Sequence, residues 1–168
     1  MAQVKHIDPE QMRFRRKVLV PLFNNRAGYW YLTRVAPSID STVTPKTRAW
    51  LSSLPGTPLL LCTTTGARTG KPRTHPLMYW SRGGDVILMA SNFGRDADPA
   101  WLANMRAHPV VTLEFRGKRG PYRARITKGT ERDELWERSK DYIANYRSYE
   151  QRVGGKRDIQ VVVCSPML

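Results

Sequence analysis

The hydrophobic positions in the first third of the chain predict two helices. From Pro9 to about Phe23, apolar residues alternate with cations in the pattern of a short basic amphipathic helix. Pro21 limits the length of this helix, because proline has no backbone N–H to donate. A second helix is predicted from about Thr44 to Ser53, with Pro45 in its first turn. Residues 1–54 are therefore expected to form a helical N-terminal extension.

Beyond residue 57 the pattern changes to short apolar runs separated by turn residues, which predicts strands and hairpins. The strands are expected at Pro58–Thr65, Arg73–Ser81, Val86–Ser91, Val110–Phe115, Tyr122–Thr127 and Ile159–Cys164. Two helices interrupt them, one over Asp98–His108 with Asp98 as its N-cap. The other covers Thr130–Tyr149, where Thr130 and Asp133 come close to a capping box. The hairpin loops are too short for parallel crossovers, so this α+β order predicts an antiparallel barrel or half-barrel with packed helices.

Charge adds a strongly basic field to this fold. The 28 Lys and Arg exceed the 14 Asp and Glu by 14, and the excess falls within residues 1–128. Such a field attracts anions, which include nucleic acid, anionic lipid and phosphorylated or polycarboxylate ligands. Cys62 and Cys164 lie in apolar runs and are expected to be core residues in a reducing compartment. With no apolar signal or spanning segment, we expect a cytoplasmic protein.

The turn Gly66–Lys71 is the first candidate for chemistry. It differs from a phosphate-binding P-loop in its glycine spacing, and it precedes a strand instead of a helix. Its cations and backbone N–H groups can still bind an anion, although the turn could equally be an ordinary basic hairpin. The three histidines show no metal-ligand spacing, so no metal site is expected. An enzyme this poor in nucleophiles and bases would take its chemistry from a cofactor.

The run from Thr63 to Leu77, TTTGARTGKPRTHPL, resembles the deazaflavin-dependent nitroreductase family, whose members use coenzyme F420. Further matches follow in order at Gly83-Gly84, Ala90–Gly94, Asp98–Asn104, His108-Pro109, Tyr146–Tyr149 and Ile159–Pro166. The likeness covers about residues 55–166. It implies a six-stranded antiparallel split β-barrel related to flavin-binding barrels, in agreement with the strand order. Residues 55–168 are accordingly expected to form a deazaflavin-binding domain.

The resemblance also implies roles for individual residues. Four of them would hold the phosphate and the oligoglutamate tail of the cofactor: Arg68, Thr69, Gly70 and Arg73. The deazaflavin ring and its ribityl chain would be lined by His75, Pro76, Ala90, Ser91, Asn92, Gly94, Trp101 and Asn104. Taken alone, Trp101 could instead be a core anchor and Asn104 a cap-like surface residue.

The acceptor pocket implied by the resemblance consists of Met78, Tyr146, Tyr149 and Arg152. Tyr149 would donate a hydrogen bond or a proton to the acceptor, with Ser91 assisting and Tyr146 shaping the pocket. Water is the alternative proton source. At Met78 an aromatic residue is common in the family, and at Arg152 a tyrosine. These departures affect the substrate range, nitro reduction in particular.

The function that follows is transfer of a hydride from reduced F420 to a small-molecule quinone, enone or nitro-type acceptor. The alternatives are an FMN- or haem-binding protein on the same fold and, less favoured, a nucleic-acid-binding module. No nucleic acid is expected, because the aromatic residues fall in predicted core elements. Residues 12–23 could contact the inner face of a membrane, where quinones dissolve, or could pack on the barrel. The protein is expected to be a monomer or a homodimer.

Overall fold

The computed structural model describes residues 25–47, 58–143 and 145–167. Helix α1 (Arg26–Trp30) leads through a π-helical turn (Tyr31–Val35) into helix α2 (Ala36–Lys46). The side chain of Asn25 caps α1 by accepting a hydrogen bond from the N–H of Gly28 at 2.7 Å.

The helix predicted from about Thr44 shares only its first residues with α2. The prediction is wrong about where this helix starts, because Pro45 lies in the last turn of α2 instead of a first turn. The remainder of that predicted helix, like the one over residues 9–23 and its membrane contact, lies outside the described residues.

Six antiparallel strands close into a barrel in the order β1-β2-β3-β6-β5-β4. Their bounds are β1 Leu59–Thr65, β2 Pro72–Arg82, β3 Asp85–Met89, β4 Val110–Phe115, β5 Lys118–Ile126 and β6 Val161–Pro166. The antiparallel barrel is therefore confirmed. Strand β5 begins four residues earlier than predicted, because Arg116 and Gly117 both adopt a positive φ and complete the turn by themselves.

Beyond β1, the described residues hold three further α-helices, α3 (Ala100–Ala107), α4 (Gly129–Tyr142) and α5 (Asn145–Val153), and one 3₁₀ turn (Asn92–Gly94). The single helix predicted over Thr130–Tyr149 is thus two helices, since Ile143 leaves helical conformation at φ −126°. The break lets Trp136 of α4 and Tyr146 of α5 pack with their ring centroids 5.5 Å apart.

Both predicted helix caps are wrong. The N-cap of α3 is Pro99, not Asp98, because the Asp98 carboxylate accepts hydrogen bonds from Arg157 and Arg106 instead. The N-cap of α4 is Lys128, which makes no side-chain cap bond. Thr130 accordingly opens no capping box; it lies inside the first turn, after Gly129 at φ 56°.

Side-chain alternation along the strands produces two apolar layers. The interior cluster fills the barrel and includes Trp101, Leu102 and Met105 of α3. The outer cluster lies between strands β2, β3 and β6 and the helices α4 and α5. Both cysteines belong to the interior cluster; burial raises the pKa of the Cys62 thiol and raises that of Cys164 to about 12. The prediction that they are core residues is confirmed.

Among the described residues, none of the helices has the length and apolar character needed to cross a membrane. Within the same ranges, no three His, Cys, Asp or Glu side chains are grouped so that they could hold a metal ion.

Candidate active site

The turn between β1 and β2 is held together by its own backbone. The N–H of Gly66 donates to the carbonyl of Lys71 at 2.9 Å, and the N–H of Gly70 donates to the carbonyl of Gly66 at 2.8 Å. The N–H of Lys71 donates to the hydroxyl of Thr69 at 3.3 Å. Within the part of the chain that the structure describes, the N–H groups of Arg68 and Thr69 donate no hydrogen bond. They remain available to an anion.

Three cationic residues lie in or directly after this turn. Arg68, Lys71 and Arg73 are all exposed, and none of them pairs with a carboxylate of the described residues. Guanidinium and ammonium groups beside backbone N–H donors are the donor set that phosphate and carboxylate ligands require. The turn therefore fits an anionic group better than an ordinary hairpin turn would.

Asn104 fixes this turn to helix α3. Its Oδ1 accepts from the N–H of Ala67 at 2.9 Å, and its Nδ2 donates to the hydroxyl of Thr64 at 2.9 Å. The Thr64 hydroxyl in turn donates to the carbonyl of Arg73 at 3.4 Å. Asn104 is buried, so the alternative of a cap-like surface residue is wrong. Its side chain instead holds the turn in place through these hydrogen bonds.

Strand β2 divides its candidate residues between two faces. Residues one apart point to opposite sides of a strand, so His75 and Pro76 do not line the same surface. Pro76 and Met78 lie on the outer face, where Met78 packs against the outer cluster. Burial, together with the charge of Arg73, lowers the pKa of His75, so its imidazole is neutral near pH 7.

Residues 90–99, which we call the β3–α3 loop, carry the next candidates. Ala90 is fully buried, its N–H donates to Gln160, and its carbonyl accepts from Arg157, so it supports the loop from behind. Ser91 is half-buried, as is Asn92, whose amide nitrogen donates to the carbonyl of Ala97 at 2.8 Å.

Gly94 and Trp101 occupy buried positions on either side of the exposed part of the loop. A Cβ atom on Gly94 would stand 3.0 Å from the Cα of Tyr149, so glycine, at a φ of 74°, allows a closer approach of the loop to α5 than a residue with a side chain would. Trp101 is buried within the interior cluster, as the core-anchor alternative predicts.

Helix α5 brings its three candidate side chains to one side, next to this loop. Residues three apart share a helix face, and Tyr146, Tyr149 and Arg152 follow this spacing. The ring of Tyr149 lies edge-on to Phe93 at 6.3 Å, and the Arg152 guanidinium lies 5.9 Å from the centre of the Tyr149 ring. Tyr146 is fully buried. Burial, and to a lesser extent the nearby Tyr149, raises the pKa of its hydroxyl, so this hydroxyl stays protonated and cannot act as a base. Phe93, which the sequence did not single out for the site, thus packs in one aromatic group with Tyr146 and Tyr149.

Arg157 is a further residue that the sequence did not single out. Its guanidinium donates hydrogen bonds to the carbonyls of Ala90, Ser91 and Arg95 and to the Asp98 carboxylate. Spacing gave no signal for it, because Arg157 lies in a Gly-Gly-Lys-Arg segment that is typical of an ordinary surface loop.

Residues 41–166 match the family model described as F420H(2)-dependent quinone reductase. The chain belongs to this family. The enzyme class expected from the sequence, an F420-dependent reductase, is thereby confirmed. The family is named for quinones, and the nitroreductase name suggested by the motifs is not the one that matches.

Individual relatives and structures lead to the same family. The chain is 36% identical over 114 residues to the F420H(2)-dependent quinone reductase Rv1261c of Mycobacterium tuberculosis, which covers 66% of this chain and 75% of that protein. A solved F420-H2 dependent reductase, FDR-A, is 33% identical, covers 64% of this chain and 94% of its own, and superposes with a TM-score of 0.58. A chain described as a domain-swapped dimer is also 33% identical over 64% of this chain and 80% of its own, with a TM-score of 0.59. The split β-barrel fold is confirmed.

Proposed function

We propose that this protein reduces quinones with a hydride taken from reduced F420. The proposal rests on the exposed cations Arg68, Lys71 and Arg73 in and beside the β1–β2 turn, which fits an anionic ligand and is fixed by the buried Asn104. The matched family, named for F420H(2)-dependent quinone reduction, supports both the cofactor and the acceptor class. When bound, the deazaflavin supplies the hydride, and the protein positions the acceptor beside it.

The cofactor's anionic groups are assigned to the turn. Arg68 and Arg73 would hold phosphate and carboxylate oxygens through their guanidinium forks, with Thr69 and Gly70 contributing the turn itself. The ring would be lined by the partly exposed Pro76, Ser91 and Asn92. Ala90, Gly94, Trp101 and Asn104 would support these residues from the buried side. His75, which the resemblance also assigns to the ring, points to the opposite face of β2 and is left out of this surface.

The acceptor is assigned to the wall formed by helix α5 and the outer face of β2. A quinone that accepts a hydride gains negative charge on one oxygen and needs one proton to become the quinol. Tyr149 would donate a hydrogen bond or the proton to that oxygen, with the Ser91 hydroxyl assisting. Tyr146 and Met78 would shape the pocket, and the cation of Arg152 would favour the developing charge. Water is the alternative proton source.

Enone and nitro-type acceptors are assigned a lower rank than quinones. They undergo the same hydride transfer, but the matched family is named for quinones alone. Parallel assays with a quinone, an enone and a nitroaromatic compound rank the three acceptors by kcat/KM. We expect the quinone to be reduced fastest.

A membrane contact through residues 12–23 stays a proposal that the sequence alone supports. Four cations, Arg13, Arg15, Arg16 and Lys17, stand beside apolar residues. On an anionic leaflet such a segment gains about 1 kcal/mol per cation. We expect salt-sensitive sedimentation with anionic liposomes, abolished by deleting residues 1–23. If the intact protein does not sediment with anionic liposomes, the membrane contact is wrong and the alternative, packing of residues 12–23 on the barrel, is favoured.

The cofactor assignment is tested by titrating the purified protein with oxidised F420, FMN, haem and a control oligonucleotide side by side. We expect saturable binding of F420 that weakens with salt, because the turn recognises anionic groups. Tight binding of FMN or haem without F420 binding would transfer the assignment to the alternative cofactor. Preferential binding of the oligonucleotide would favour the nucleic-acid module.

A further inference from the structure

Arg157 lies between helix α5 and strand β6 and binds the β3–α3 loop at both ends. Its Nη2 donates to the carbonyl of Ser91 at 2.9 Å, and its Nε donates to the carbonyl of Arg95 at 3.1 Å. Its Nη1 donates to the carbonyl of Ala90 at 3.2 Å and to the Asp98 carboxylate at 3.0 Å. One side chain from outside the loop thus holds its beginning, its middle and its end.

The loop requires such external support because its backbone is strained at the tip. Asn92 and Phe93 have φ values of 45° and 57°, in the left-handed region that side chains rarely adopt. Within the loop, the N–H of Gly94 donates to Ser91 at 2.8 Å and the N–H of Arg95 donates to Asn92 at 3.1 Å. Strained conformations persist only where the surrounding structure fixes them. The Arg157 guanidinium provides this fixation.

Burial and charge strengthen these contacts. The Arg157 side chain is only 11% exposed, and its hydrogen bond to Asp98 joins opposite charges. Charge-assisted hydrogen bonds are stronger than neutral ones. A lysine could not replace the arginine, because an ammonium is a compact donor, whereas the planar guanidinium reaches several acceptors at once.

Arg157 connects the side of the proposed site assigned to the cofactor with the side assigned to the acceptor. The loop carries Ser91 and Asn92, which are assigned to the deazaflavin ring. Helix α5 ends four residues before Arg157 and carries Tyr149, which is assigned to the acceptor. Gly94 packs directly against the backbone of Tyr149, so the loop and the helix are in close contact. Any shift of the loop therefore changes the distance between the residues assigned to the cofactor and those assigned to the acceptor.

We infer that Arg157 is a positioning residue for hydride transfer, which fixes the β3–α3 loop against helix α5 and so sets the separation of cofactor and acceptor. The inference rests on the proposed function. Arg157 acts through the loop and contacts none of the reacting groups. A displacement of about 1 Å between reacting groups can lower a rate by 10²-fold.

The test compares Arg157→Lys with the control Lys156→Ala. Lys156 forms an exposed ion pair with Asp96 at 2.8 Å, which joins the same two segments but is open to solvent. Exposed ion pairs contribute little, so the control is expected to behave as wild type. Should Arg157→Lys not fold, Asp98→Asn replaces it, because this variant removes the charge partner and keeps the side-chain shape.

Two readouts separate positioning from a merely structural role. In the ligand-free protein, amide hydrogen exchange at Gly94 and Arg95 is expected to accelerate by about tenfold or more in Arg157→Lys. With F420H2 and quinone saturating, the single-turnover rate per folded molecule is expected to fall by roughly 10–100-fold. The affinity for F420 should change much less than this rate, because the anion-binding turn is intact.

Unchanged exchange in folded Arg157→Lys overturns the inference, and so does faster exchange with a normal single-turnover rate. A rate that falls only in proportion to the folded fraction overturns it as well. Wild-type protein that fails to oxidise F420H2 contradicts the proposed function instead. In that case the exchange measurement still decides whether Arg157 holds the loop.

Discussion

Gly94 of the β3–α3 loop lies directly against Tyr149 of helix α5. A Cβ atom on Gly94 would stand 3.0 Å from the Cα and 3.1 Å from the carbonyl oxygen of Tyr149. Both are backbone atoms, which cannot rotate away as a side chain can. The separation of the loop from the helix, and with it the shape of the proposed site, therefore depends on the absence of a side chain at residue 94.

The first prediction is that Gly94→Ala destabilises the protein and slows turnover. The new methyl group adds a clash with Tyr149 to a backbone at φ 74°, and overpacking of this kind costs about 1–3 kcal/mol. Gly117→Ala is the control, because Gly117 has a similar φ of 79° but no atom within 4 Å of its Cβ position. Urea unfolding and steady-state kinetics of the two variants measure the difference. Equal losses in both would show that φ alone matters and the contact does not.

The second prediction is that Arg68→Glu combined with Arg73→Glu abolishes tight F420 binding without unfolding the protein. Each lost charge-assisted contact should weaken binding by about 1.5–3 kcal/mol. Arg82→Glu with Lys128→Glu is the matched control: it makes the same change in net charge at exposed cations away from the turn. Fluorescence titration measures both affinities at two salt concentrations. If the two double variants lose affinity equally, the effect is one of net charge and the turn is not the site.

The third prediction concerns the Tyr149 hydroxyl. Tyr149→Phe keeps the ring that packs on Phe93, so F420 affinity should hold while hydride transfer slows. The loss should be about 10²-fold or less, since water can replace the proton donor. Tyr146→Phe is the comparison, because the pKa of the buried Tyr146 is raised and it is assigned only to the shape of the pocket. Single-turnover rates decide between them. Equal rates for Tyr149→Phe and wild type would reduce Tyr149 to a packing residue.

The fourth prediction is that acid weakens the junction of α4 with α5. Glu150 accepts hydrogen bonds from the Trp136 indole at 2.6 Å and from Lys140 at 2.9 Å. Burial alone would raise the pKa of Glu150, but these two bonds, together with the charges of Lys140 and Arg132, outweigh burial and lower that pKa. A carboxyl group with a lowered folded pKa stabilises the fold above its unfolded pKa, and this stability disappears as pH falls through the folded pKa.

The free energy of unfolding should therefore decrease below about pH 5, and Glu150→Gln should flatten that decrease. Glu134→Gln removes a carboxylate from the exposed side of α4 and serves as the control. Urea unfolding at several pH values measures the slope. A steep acid limb that survives in Glu150→Gln would assign the pH dependence to other carboxyl groups.

The barrel could be predicted from the sequence because its determinants are local. Alternation over Val110–Phe115 and the glycine pair at Gly83-Gly84 identify strands and a hairpin without knowledge of distant contacts. The helix caps could not be predicted in the same way. Asp98 is of a residue type that favours the N-cap position, but its carboxylate binds Arg157, which is 59 residues away in the chain.

The candidate site was predictable only where its residues share a motif or a helix face. The cations of the turn and the tyrosines of α5 are such cases: the cations are all exposed, and the rings of Tyr146 and Tyr149 lie 6.1 Å apart. His75 and Pro76 are neighbours in the motif but lie on opposite faces of β2. The roles of Asn104 and Arg157 depend on hydrogen bonds across 37 and 66 residues of sequence, which no local pattern records.

The proposed reaction is the transfer of a hydride from reduced F420 to a quinone. Its most direct test is an anaerobic stopped-flow measurement in which F420H2, a water-soluble quinone and the protein are mixed, and the absorbance of oxidised F420 is followed. We expect rapid formation of oxidised F420, with one quinol produced for each F420H2 consumed, and a strongly reduced rate in the Arg68→Glu, Arg73→Glu variant. Oxidation no faster than in the protein-free mixture would contradict it.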